Sequence, residues 1–298
     1  MSAQGEKELL HKDKIMRIKD PKTGAHWKER GRMDTITFKD GAYETIPRPV
    51  SLFARHFPSV VFYRYLLAIV FRSSARAKRS LYDSAAWCAS SLEVLRALEH
   101  VGVNIEITGV DNFLTLDGPC IFVANHMSTL ETFVLPSIIG PFRSLTFVVK
   151  QGLVDYPVFR HVMRSRDPVT VRRENPRDDL RAVLEGGTEK LKAGWSLIIF
   201  PQSTRYSTFD PKVFNSMGIK LAKRANVPVI PIALKTDAWA EGKHIKDFGR
   251  VYPSKKVHFA FGKPLWVKDR GTEEHNEVIS FIISKLKEWK GLVADQDL

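Results

Sequence analysis

The sequence predicts an α/β protein with a mixed, largely parallel central sheet flanked by helices, preceded by an N-terminal helical hairpin. Three observations carry this. From residue 103 onward, short apolar runs alternate with longer segments of helical period, the pattern of strands and helices in turn. Polar groups recur just after the apolar runs, as ligand-binding residues do at the carboxyl ends of strands in open α/β sheets. Upstream, residues 52–100 contain no strand pattern but two apolar, helix-like segments.

Residues 1–47 are rich in charge and poor in apolar clusters, and read as an irregular charged arm. Its first residues, "MSAQGEKELLHKDK", lack the apolar stretch of a secretory signal. Residues 48–100 read as the hairpin. A helix is expected over about 52–72, a basic turn in "RSSARAKR" at 72–79, and a second helix from Leu81 to His100. The apolar stretch "FPSVVFYRYLLAIVF" would be only about 22 Å long as a helix, against a hydrocarbon core of about 30 Å, and it contains Arg64. The hairpin therefore reads either as a cover for the core or as a membrane-surface foot, with Phe57, Phe62, Leu66 and Phe71 in the lipid and arginines at phosphates.

Residues 101–298 read as the α/β domain. "VNIEITG" alternates with period two, and "CIFVAN" is continuously apolar as a strand buried on both faces would be. "SLTFVVK", "PVTVRR", "WSLIIF", "VPVIPIAL" and "KVHFAFG" are the further strands. Helices are expected over about 128–139, 177–193, 215–225 and 273–290, the second despite Gly186 and Gly187.

The net charge of +13 favours anionic partners: membrane surface, phosphorylated substrate or nucleic acid. The last lacks any helix-turn-helix or aromatic RNA-binding signature, and no nucleic-acid partner is expected. The two cysteines, Cys88 and Cys120, form no framework or metal cluster. G-x-S-x-G, H-E-x-x-H, the phosphate-loop pattern and G-x-G-x-x-G are all missing. No metal or nucleotide cofactor is expected.

"VANHMSTLET" places His126 after an apolar strand and Glu131 five positions later. On one helix the two side chains would diverge by about 140°. They can meet only if His126 lies in the turn before a helix that carries Glu131 in its first turn, with Ser128 or Thr129 as cap. The carboxylate would then fix one imidazole nitrogen and leave the other as a base. The alternative is a helix-dipole glutamate beside a structural histidine. Lys150, Arg173 and "PQSTR" end three other strands.

The ordered blocks "NHMSTLE", "KQGLVDYPVFR", "VTVRRENPR", "FPQSTR" and "VPVIPIAL" resemble the glycerolipid acyltransferases, the PlsC-like 1-acylglycerol-3-phosphate acyltransferase family, over about residues 100–265. The resemblance implies His126 as the base that deprotonates an acceptor hydroxyl and Glu131 as its orienting carboxylate. It implies substrate binding by Lys150, Arg172, Arg173, Gln202, Ser203, Thr204 and Arg205, with Arg205 near the acceptor phosphate. The donor would be an acyl thioester, acyl-CoA or acyl carrier protein, and the acceptor a lysophospholipid at an anionic membrane surface. The protein would sit on the cytoplasmic face, peripheral or monotopic. A lyso-aminolipid acceptor, or a silent lipid-binding role, are the rivals. Three residues depart from the family pattern: Glu131 stands for aspartate, Gln202 for glutamate and Ser203 for glycine.

Overall fold

The apolar runs form strands and the periodic segments form helices largely where their patterns place them. The computed structural model describes residues 34–294, apart from Val158, Ser203 and His244. Most of the charged arm therefore lies outside the described residues. The described elements are β1 (Tyr43–Glu44), α1 (Leu52–His56), α2 (Pro58–Lys78), α3 (Ser84–His100), β2 (Ile105–Thr108), α4 (Asp111–Leu114) and β3 (Ile121–Ala124). There follow α5 (Leu130–Ile139), β4 (Leu145–Lys150), α6 (Gln151–Val154), α7 (Arg160–Arg166), β5 (Val169–Val171), α8 (Pro176–Lys192), β6 (Ser196–Ile199) and β7 (Thr208–Phe209). The chain continues through α9 (Met217–Ala225), β8 (Val229–Lys235), β9 (Val257–Phe261), α10 (Thr272–Glu288) and β10 (Leu292–Val293).

Eight strands form one sheet in the order β1-β2-β9-β8-β3-β6-β4-β5. The run β8-β3-β6-β4-β5 is parallel throughout. Direction reverses between β8 and β9 and again between β2 and β1, which makes the sheet mixed. Alternate residues of β3 face opposite layers. Phe122 and Ala124 join the core shared with α2, α3 and α5, while Ile121 and Val123 join the core under α8, α9 and α10. All four residues are buried, which is why this strand reads as continuously apolar.

The helical pair differs from expectation in one respect. Pro58 starts a new helix after Phe57, and that helix runs on to Lys78. The expected basic turn is thus mostly helical, because Ser73 to Lys78 contains no proline or glycine to stop it. Only Arg79 to Asp83 forms the connection. Phe62 and Leu66 are core residues, not lipid anchors; Phe57 and Phe71 are the exposed ones.

Two sequence oddities have local explanations. Pro136 lies inside α5, where it disturbs the helical ladder. The Ser91 hydroxyl inserts there, donating to the Phe133 carbonyl at 2.5 Å and accepting from the Ser137 amide at 2.8 Å. Gly187 sits where α8 meets α9; a Cβ there would come within 2.5 Å of the Leu221 side chain. The glycine that weakens the helix pattern is what lets the two helices close.

Candidate active site

Five parallel strands deliver their carboxyl ends to one edge of the sheet. At that edge lie His126 after β3, Gln202 after β6, Lys150 ending β4, Arg172 and Arg173 after β5, and Thr236 after β8. Neighbouring strands are about 4.8 Å apart, so Lys150 and the two arginines sit one and two strands beyond β6.

His126 is in the turn and Glu131 is the second residue of α5. The two meet: His126 Nδ1 lies 2.9 Å from Glu131 Oε1. The same oxygen accepts the amides of Met127 at 2.7 Å and Ser128 at 2.8 Å. Oε2 accepts the hydroxyls of Ser128 at 2.8 Å and Thr236 at 2.6 Å. Ser128 Oγ in turn accepts the Leu130 amide at 3.1 Å, capping the helix; Thr129 occupies the N-cap position without a capping bond. Glutamate suits this place, since its extra methylene lets a carboxylate on α5 fold back onto amides of the preceding turn.

Glu131 is completely buried. Burial pushes its pKa up, but the bond and charge of His126 and the bonds from Thr236 and the Ser128 amide outweigh that, and it lies below the ordinary carboxylate value. An ionised carboxylate cannot donate, so Nδ1 carries a proton and donates. Nε2 is left as the acceptor, with no protein partner among the described residues. The imidazole stacks on Phe200, ring centroids 4.3 Å apart at 20°, and Phe200 stacks on Phe147. The arrangement can hold one tautomer and take a proton at Nε2.

The turn after β6 is sewn to this pair. The His126 amide donates to Gln202 Oε1 at 2.7 Å, and the Tyr206 amide donates to the His126 carbonyl at 3.0 Å. Gln202 is buried, and its Nε2 has no partner. An unpaired buried donor of this kind costs about 1–3 kcal/mol. Thr204 is half-buried in the same turn. Ser203 lies outside the described residues.

Arg205 is placed beside the pair but is already engaged. Its Nη1 donates to Thr129 Oγ1 and to Asp247 Oδ1, the latter at 2.7 Å, and its Nε lies 3.1 Å from Glu241 Oε1. Both acids come from the segment between β8 and β9. Lys150, Arg172 and Arg173 are exposed. The Arg172 and Arg173 amides both donate to the Asp179 carboxylate, fixing a turn in which Arg173 has a φ of +62°.

A cavity of about 440 Å³ opens between these groups and α9, lined among others by Arg173, Arg177, Gln202 and Lys220. Sequence reasoning missed Phe200, Thr236, Glu241 and Asp247. Thr236 had a signal, since it follows the last residue of β8; the two acids had none, because nothing in the sequence pairs a loop carboxylate with an arginine some 40 positions earlier.

A mixed sheet with a hydrogen-bonded histidine and buried carboxylate at its carboxyl edge defines a class, and residues 104–235 match the family model described as Acyltransferase. That match and the curated relatives below support the PlsC-like glycerolipid acyltransferases as the family. The chain is 33% identical over 147 residues to the 1-acyl-sn-glycerol-3-phosphate acyltransferase of Pseudomonas aeruginosa, covering 49% of this chain and 54% of the relative. It is 33% identical over 129 residues to a chloroplastic 1-acyl-sn-glycerol-3-phosphate acyltransferase of Brassica napus, covering 43% of this chain and 36% of that one. The chain thus spans about half or less of the length of these relatives. The crystal structure of the acyltransferase PlsC from Thermotoga maritima has the same fold, with a TM-score of 0.52 at 24% identity over 82% of this chain and 96% of that one. The resemblance in the motif blocks and the mixed α/β fold are borne out.

Proposed function

We propose that the chain moves a fatty acyl group from an acyl thioester to the hydroxyl of 1-acylglycerol 3-phosphate, as an enzyme of phospholipid biosynthesis. The observation that carries this is the buried, ionised Glu131 bonded to His126 Nδ1, at the carboxyl edge of the parallel strands. As the acceptor oxygen attacks the thioester carbonyl carbon, its proton passes to His126 Nε2. Glu131 stabilises the imidazolium. The tetrahedral intermediate then collapses, the carbon–sulfur bond breaks, and the thiolate takes the proton back as coenzyme A or a carrier-protein thiol leaves. No acyl-enzyme and no cofactor enter this scheme. The relatives' names, which specify this acceptor, support it.

The site would work at a membrane surface. Leu52 and Phe53 of α1, Phe57 between the helices, and Val60 and Phe71 of α2 are exposed, beside exposed Arg55, Arg64, Arg72 and Arg76. No helix among the described residues is long and apolar enough to cross a membrane. Such a face suits insertion of apolar side chains below phosphate-bound arginines.

The test is purified protein with acyl-CoA and a panel of acceptors, following free thiol and product mass. Thiol release that depends on 1-acylglycerol 3-phosphate is expected. Release only with a lyso-aminolipid would move the acceptor assignment, and no release with any thioester would end the enzymatic reading.

A further inference from the structure

The strand beside β3 reaches the His126–Glu131 pair as well. β3 and β8 are parallel, with Ala124 opposite Ile232. Beyond that point the Asn125 carboxamide continues the ladder: its Nδ2 donates to the Leu234 carbonyl and its Oδ1 accepts the Leu234 amide, both at 2.8 Å. This clamp fixes β8 to the turn that carries His126. Two residues on, Thr236 is fully buried, and its hydroxyl donates to Glu131 Oε2 at 2.6 Å. Its amide lies 3.4 Å from Met127 Sδ. Thr236 falls outside every block that carries the resemblance, the last of which ends at Leu234.

Protons are scarce on that oxygen. Glu131 Oε1 faces three N–H groups, those of His126, Met127 and Ser128. Oε2 accepts the hydroxyls of Ser128 and Thr236. A hydroxyl has one proton to give, and that of Ser128 has three acceptors within 3.0 Å: Glu131 Oε2, the Thr236 carbonyl and Thr236 Oγ1. The Thr236 proton has its short bond to Oε2. Thr236 is thus the steady donor there, while Ser128 is divided. A carboxylate in a dry site keeps its charge only if donors meet both oxygens. Without Thr236, Oε2 would rest on a shared proton, and the carboxylate could turn about its soft terminal torsion and release Nδ1. The nearby charges are already paired. Lys235 and Asp237, on either side of Thr236, meet at 3.1 Å, and Asp237 also holds Lys255 at 2.8 Å. Arg205 and Asp247 meet at Thr129, two residues before Glu131.

We propose that Thr236 is a positioning residue for acyl transfer: its hydroxyl holds the charge and orientation of Glu131, and through Glu131 it holds His126 with Nε2 free for the acceptor's proton. This rests on the reaction assigned under the proposed function. The base is then a three-part assembly, with the imidazole from the turn after β3, the carboxylate from α5 and the hydroxyl from the end of β8. The Asn125–Leu234 clamp keeps the three in register.

Thr236→Val tests this, because it keeps the branched shape and removes the donor. With acyl-CoA and 1-acylglycerol 3-phosphate, kcat should fall about tenfold, with both Michaelis constants within about twofold of wild type. The acid limb of the pH–rate profile should move to higher pH, since a carboxylate stripped of a donor, and an imidazolium facing it, both hold their protons more tightly. Thr236→Ser restores the hydroxyl without the methyl, and should recover kcat to within about threefold of wild type along with the wild-type acid limb. Thr236→Ala set against Thr236→Ser makes the same comparison at equal packing, which covers the case of Thr236→Val failing to fold. Wild-type kcat and pH profile in Thr236→Val or in folded Thr236→Ala overturns the proposal. So does a Thr236→Ser protein as impaired as Thr236→Val, which would make the methyl contact the cause, and so does a loss confined to a Michaelis constant. Wild-type protein without transferase activity would remove the proposed function instead. The proton resonance of His126 Nδ1 would then still decide the role of Thr236, since it should shift in Thr236→Val and Thr236→Ala but not in Thr236→Ser.

Discussion

Replacing His126 by alanine removes the only base the scheme uses, and acyl transfer should fall about 10²–10⁴-fold with the thermal midpoint little changed, as thiol release and a melting curve would show. Glu131 separates charge from shape. In Glu131→Gln the oxygen can keep the Met127 and Ser128 amides while the new amide nitrogen faces the hydroxyls of Ser128 and Thr236. Turnover should nevertheless drop by about 10²-fold, since the imidazolium loses its counter-charge. Equal turnover would reduce Glu131 to a helix-end charge. The lowered pKa of Glu131 also sets a sign for stability. Its charge stabilises the fold above the ordinary carboxylate value of about 4.3, and that stabilisation is lost as pH falls through the lower folded value. Thermal midpoints measured from about pH 6 to about pH 3 should therefore fall more steeply in wild type than in Glu131→Gln. The pair was legible in the sequence as one of two readings, because a five-residue gap across a strand-to-helix turn allows only one geometry in which the two side chains meet. Its supports were not: Phe200 and Thr236 come from other strands, and only the parallel order of β8, β3 and β6 brings them to the histidine.

Arg205 acts at the scale of elements, since it joins the turn after β6, the start of α5 and the segment between β8 and β9. Arg205→Ala should loosen that segment as well as the site. The guanidinium is mostly buried, at 15% exposure, but its acids are exposed at 38% and 43%, so the loss of stability should be modest, about 1–2 kcal/mol. Asp247→Asn removes one negative charge beside the site and should lower the Michaelis constant for a phosphate-bearing acceptor. Steady-state kinetics on both variants checks this; a higher constant in Asp247→Asn would show that the acid helps to bind the acceptor. The strands and long helices were legible here from period and length. The extension of α2 through its basic residues was not, because arginine and lysine are good helix formers and their charge says nothing about a turn.

For the whole molecule, the charge of +13 and the apolar face of α1 and α2 act together. Each near-surface lysine or arginine contributes about 1 kcal/mol to binding anionic lipid, screened by salt, while inserted Phe53, Phe57 and Phe71 are indifferent to salt. Co-sedimentation with anionic vesicles should thus be reduced by high salt and abolished only by detergent. Complete release by salt alone would make the face an ordinary exposed surface. The sheet order has a further consequence, in time. β2 ends at Thr108 and its parallel partner β9 starts at Val257, and β3 likewise waits for both β6 and β8. A ribosome adding about 5–20 residues per second needs roughly 7–30 s to make the segment between β2 and β9. Throughout that interval the nascent chain displays an unpaired edge of β2, and until β6 and β8 emerge also the apolar strand "IFVA", templates for wrong pairing. The centre of this fold is thus the last part to close during synthesis, and the interval before β9 emerges is when the chain most needs a chaperone or an early-docked α2–α3 pair to shield it.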